Sequence, residues 1–162
     1  VSQRLSYDVQ FGRLSEVRLK IPPFLYDQLT PDVMDASFTF LLDGEVPLTT
    51  DWTGPEVTVT LPNARLGKFD IVIDDYLPTP EQGSRPATLD VPIITSLDET
   101  FSSVRLIVPD QPTLSVTVDH DDWTRLSTVA DGMQWITGQP VTDVTIALDR
   151  SLTKSPQRLK ID

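Results

Sequence analysis

The stretch from Arg4 to Pro22, RLSYDVQFGRLSEVRLKIP, decides the fold class. Leu5, Tyr7, Val9 and Phe11 alternate with Arg4, Ser6, Asp8 and Gln10, and beyond Gly12 the apolar Val17, Leu19 and Ile21 alternate with Glu16, Arg18 and Lys20. A period of two is the mark of a strand with one face in the core. Both runs put odd-numbered residues inside, and they are expected to form a hairpin around Gly12-Arg13 with an odd-length loop or a bulge, which keeps inward residues opposite one another.

The same alternation recurs along the chain. Val57, Val59 and Leu61 are expected to pair with Phe69, Ile71 and Ile73 in a second hairpin, and Val104, Leu106 and Val108 with Leu114, Val116 and Val118 in a third. No window sustains an i, i+3, i+4 apolar pattern, and 14 prolines leave room only for a short turn of helix near Phe24 to Leu29. The expected fold class is all-β.

Self-similarity points to architecture. Ser15 to Pro22 (SEVRLKIP) matches Ser102 to Pro109 (SSVRLIVP) at five identical positions. Phe38 to Gly44 (FTFLLDG) aligns with Leu126 to Gly132 (LSTVADG), and Trp52 to Pro55 (WTGP) with Trp135 to Pro140 (WITGQP). Three matches in one order at nearly one offset read as an internal duplication. Between the copies, residues 78–86 (PTPEQGSRP) carry three prolines, Gly and Ser without an apolar side chain, a composition suited to a fairly stiff linker. The expectation is two tandem antiparallel β-sandwich units of immunoglobulin-like type, residues 1–77 and 87–162, meeting across a packed interface because each is small for one core. The closing RLKID resembles RLKIP, which suggests a piece of a longer array.

Composition narrows function. With 24 Asp and Glu against 13 Lys and Arg, the net charge of −11 opposes nucleic acid and anionic membrane surfaces, whose binding rests on cationic side chains. No apolar run approaches the ~20 residues of a membrane helix. The absence of cysteine removes disulfides, thiolate metal sites and a cysteine nucleophile, and fits either a reducing compartment or an exported bacterial protein. Serine-hydrolase, P-loop, dinucleotide and zinc-protease motifs are missing, and a Ser-His-Asp system would have to use His120, the one histidine. Acid pairs for glycosidase work cannot be singled out among so many carboxylates.

One cluster asks for a decision: Val118 to Trp123, VDHDDW, gathers three aspartates, the histidine and a tryptophan. The preferred reading is a solvated turn in which aspartates bond nearby amides, since the equivalent loop around Asp32 and Asp35 lacks the histidine and one acid. The alternative is a calcium site on Asp119, Asp121 and Asp122. Trp52 and Trp135, at equivalent places, are expected to cap the core, with stacking on a sugar ring as the alternative. Asp74-Asp75-Tyr76 reads as a strand end.

The expectation is thus a non-catalytic structural or protein-interaction module, without cofactor, from a larger extracellular or periplasmic protein. Its partners would be neighbouring β domains or other proteins. A carbohydrate-binding accessory module, possibly assisted by calcium, is the first alternative, and a hydrolase fragment the second.

Overall fold

The computed structural model describes residues 2–27, 38–74, 87–98, 101–108, 114–119, 121–126, 132–139, 141 and 143–150. The first element is β1 (Ser2–Lys20), a strand of 19 residues, and its counterpart is β5 (Glu56–Asp74), of equal length. Between them lie α1 (Pro23–Tyr26), β2 (Thr39–Leu42), β3 (Val46–Pro47) and β4 (Thr49–Thr53). After them come β6 (Ala87–Pro92), β7 (Thr95–Ser96), β8 (Phe101–Val108), β9 (Leu114–Asp119), β10 (Thr124–Arg125), β11 (Met133–Thr137) and β12 (Asp143–Arg150). The fold is all-β apart from the single turn of helix, which starts on Pro23 and buries Leu25. That turn falls where the sequence left room for it.

Every strand pair among the described residues is antiparallel. One sheet of nine strands runs β10-β11-β8-β1-β5-β2-β3, with β4 on β5 and β7 on β1; the other is β6-β12-β9. Apolar side chains from both sheets, including Leu5, Val17, Ile71, Val91, Val116 and Ile146, join one buried core.

The hairpins expected from alternation are not formed. Leu5 to Val9 and Val17 to Ile21 belong to one chain direction, and β1 pairs with β5 along both halves, from Gln3 opposite Ile73 to Lys20 opposite Glu56. The second expected hairpin is likewise the single strand β5. The third is split between sheets, because β8 pairs with β1 and β11 whereas β9 pairs with β12.

The bulge did appear, in a different role. Strands of 19 residues exceed the usual 3–10 and need a break in the ladder to bend. Gln10 to Arg13 of β1 stand against Leu66 alone, and Leu61 to Ala64 of β5 against Ser15 alone, so two slips of opposite sense cancel and the original register resumes. Gly12, at φ +76°, supplies left-handed backbone inside the first excursion, and Gly67, at φ +85° opposite Val9, borders it. Because the slips cancel, odd residues face the core on both sides of the bend: Val17, Leu19 and Ile21 are buried, as are Val57, Val59, Phe69 and Ile71, while Glu16 and Lys20 are exposed. Phe11, expected inside, lies in the excursion and is 90% exposed.

The sheet also crosses the expected division of the chain. β7, β8 and β11 follow residues 78–86, which lie outside the described residues, yet they extend the sheet built on β1. The segments matched in sequence keep different company. SEVRLKIP contributes to the half of β1 lined by β5 and β7, whereas SSVRLIVP contributes to β8 between β1 and β11. WTGP turns β4 directly into its partner β5, but β11 and β12, flanking the second tryptophan motif, are in different sheets. The strand-for-strand equivalence expected of a duplication is therefore not the pairing found.

Candidate functional site

A set of buried and half-buried polar groups sits where the segment Ile94–Asp98 meets β1. Gln3 occupies an odd, inward position and is fully buried. Its Nε2 donates to the Ile94 carbonyl, and its Oε1 accepts from the Ile94 N–H at 3.0 Å. The side-chain amide thus presents the donor and acceptor that a neighbouring strand would offer. Four residues on, Tyr7 stacks on its cross-strand partner Phe69 with ring centroids 5.1 Å apart and planes 9° from parallel.

Burial pushes the Tyr7 phenol well above its ordinary range; the polar Ser96 side chain opposes this and the nearby Asp98 charge adds to it. Ser96 pairs with Leu19 and Thr95 with Lys20 through β7, at the far half of β1. The Asp98 carboxylate accepts the Arg18 N–H at 2.8 Å, and the Leu97 N–H donates to the Arg18 carbonyl at 2.9 Å. One short segment therefore touches Gln3 and Tyr7 in the first half of β1 and Arg18, Leu19 and Lys20 in the second. That is possible only because the bend at Gln10 to Arg13 folds the two halves toward each other.

These groups are poorly suited to acid-base chemistry near neutrality. The amide of Gln3 is spent on backbone, and the Tyr7 phenol is held protonated. The arrangement ties backbone to backbone. Sequence reasoning passed over it, although a glutamine on the inward side of an apolar stripe is the signal that a buried polar group needs a partner.

The residues singled out in sequence are dispersed. Asp119 ends β9, with its side chain outside the described residues, as is His120; Asp121 and Asp122 are exposed in a turn. Trp123 next to them is buried, and its Nε1 has no hydrogen-bond partner among the described residues. Among the described residues no group of three acidic or histidine side chains converges on a point. The loop carrying Asp32 and Asp35 lies outside them, as do Asp75 and Tyr76, whereas Asp74 ends β5 opposite Thr39. Trp52 is half-buried against Phe38 and Phe40, at centroid distances of 5.9 and 6.3 Å. Trp135 faces the core opposite Leu106 and is 4% exposed, which leaves no ring face for a sugar.

No described helix is long and apolar enough to cross a membrane. Comparison with protein-family models, curated proteins and solved structures finds no match to this chain.

Proposed function

We propose that the chain is a non-catalytic structural or protein-interaction module of a larger exported protein, whose partners are neighbouring β domains or other proteins. The observation that carries this reading is the use of buried and half-buried polar groups. Gln3, Tyr7, Ser96 and Asp98 tie the segment Ile94–Asp98 to both halves of β1 and so brace the bent ribbon of β1 and β5. Such bracing suits a spacer or scaffold that must hold its shape under load.

In this reading the two sheets are layers of a β-sandwich, supported by the one apolar core to which both contribute. The immunoglobulin-like comparison rests on the expected strand spacing. A duplication rests on the order of the sequence matches alone, and it requires the second copy to have exchanged strand partners. The carbohydrate-binding alternative depends on Trp52, the tryptophan of the pair that keeps some exposure.

The test pulls single molecules apart from their ends. A brace that spans the chain gives one cooperative unfolding event, and Gln3→Ala lowers its force. Two independent events in the unmodified chain would remove the rigid-module reading. Retardation of the chain in gels containing polysaccharides, lost in Trp52→Ala, would move the function to carbohydrate binding.

A further inference from the structure

We propose that Arg4 and Arg105 form a receptor for a small oxyanion that also carries a hydroxyl group, on the outward face of the nine-stranded sheet. Odd residues of β1 face the core and so do the even residues of β8, which places Arg4 and Arg105 on the opposite side. The register sets them directly against each other. Like charges in that relation on adjacent antiparallel strands repel. The pairing is conspicuous in a chain with 24 acidic residues to 13 basic ones.

Other arginines nearby have carboxylates: Arg18 has Asp98 and Arg65 has Asp43. Arg105 makes no ion pair or hydrogen bond among the described residues, and its Nε is closed to solvent. Arg4 has only Asp70, with Nε to Oδ2 at 3.7 Å, beyond hydrogen-bond reach, while Oδ1 of the same carboxylate accepts from Ser6 Oγ at 2.8 Å. One distant carboxylate beside Arg4, and none beside Arg105 among the described residues, leaves both guanidinium groups short of acceptors. Two forks side by side match the oxygens of a carboxylate or phosphate.

Gln134 supplies the second, independent observation. It lies on the same outward face of β11, one diagonal step from Arg105, since it opposes Ile107 while Ile136 opposes Arg105. It is 3% exposed, and its Oε1 has no donor among the described residues. A buried amide oxygen without a donor carries a desolvation penalty. A ligand offering both negative oxygens and an O–H answers both demands: monohydrogen phosphate and 2-hydroxycarboxylates have that chemistry, sulfate and acetate do not.

The experiment is calorimetric titration of the whole chain at fixed ionic strength with inorganic phosphate, sulfate, glycolate and acetate. Phosphate should bind saturably and better than sulfate, and glycolate better than acetate. Arg105→Gln, and separately Arg4→Gln, should weaken phosphate and glycolate at least about tenfold, the equivalent of roughly 1.5 kcal/mol for one hydrogen bond to a charged group. Each substitution removes the repulsive pair, so the fold should survive, and a thermal melt checks this. Gln134→Leu should erase the preference for the hydroxyl-bearing anions. Arg18→Gln, on the other half of β1, should leave binding unchanged. No saturable heat, equal binding by the wild-type chain and Arg105→Gln, or an equal loss in Arg18→Gln would overturn the site; preserved binding without preference would overturn the role of Gln134.

Discussion

Gln3 and Ile94, ninety-one residues apart, are joined by two buried hydrogen bonds in which a side-chain amide takes the place of a strand. The relation is reciprocal, so its removal leaves both the N–H and the carbonyl of Ile94 without partners. Gln3→Ala should destabilise by about 2–6 kcal/mol, from roughly 1–3 kcal/mol for each of the two unsatisfied buried groups. Gln3→Glu gives a sharper test. A carboxylate there still accepts from the N–H but faces the carbonyl with a charge, so burial raises its pKa above the ordinary value of about 4.3. A raised pKa contributes stability that is present below the unfolded value and lost as pH rises through the folded one. Chemical denaturation of Gln3→Glu should therefore show partial recovery in acid, relative to wild type, that fades toward neutrality. A flat difference across pH would mean that the latch contributes little.

Tyr7 sets the alkaline limit of the fold. Its phenol titrates above the ordinary value near 10, chiefly because burial disfavours the phenolate. The protonated form is the one the fold favours, so this contribution is complete below pH ~10 and is lost as pH rises further. Ultraviolet titration should show one tyrosine that ionises only as the protein unfolds. Tyr7→Phe should change stability by at most about 1 kcal/mol near neutrality, since the stacking on Phe69 is kept. In return, its stability should fall less steeply above pH ~10 than that of the wild type. Parallel alkaline profiles for the two proteins would show that Tyr7 is not the group responsible.

Alternation made the faces legible, but it said little about partners. The inward sets around Val17, Val57 and Val104 could be read directly, because a strand's two sides differ whatever lies beside it. A hairpin and an uninterrupted strand bury the same alternate residues. The even spacing from Val9 to Val17, and from Leu61 to Phe69, is kept in one continuous strand because its two slips cancel, whereas the hairpin needed an odd loop to accommodate it. That economy was the available clue. Phe11 was misplaced for a related reason: parity holds only within a ladder, and Gln10 to Arg13 leave it. The Ile94–Asp98 brace and the Arg4–Arg105 pair depend on the meeting of distant segments, which no local pattern encodes.

The aspartates of VDHDDW should hold no ion needed for folding. Asp121 and Asp122 are exposed and can be solvated by water, and the buried member of the stretch is Trp123, whose contribution is apolar. Melts in chelator and in millimolar calcium should nearly coincide. A site with a dissociation constant near 10 μM would add about 2.7 kcal/mol at 1 mM ion, or roughly 5–10 °C for a chain of this size. A calcium-dependent rise of that order, abolished by Asp121→Ala, would instead establish a metal site there.

Separate expression of residues 1–77 and 87–162 tests how far the chain is one folding unit. The first piece keeps β1 and β5 but loses β8 from one edge, β7 from the other half and Ile94 from Gln3. The second keeps β8 and β11 but exposes the edge that β1 covered, together with the inward Val104 and Leu106. Exposed strand edges beside apolar faces favour association over independent folding. Neither piece alone should show the cooperative melt of the intact chain, and mixing the two should restore part of it, since each piece carries the strands that cover the other's open edge. Gln3→Ala in the first piece should weaken that recovery. If each piece melts alone at the temperature of the intact chain, the pairing across β1 and β8 adds nothing to stability, and the brace is incidental to the fold.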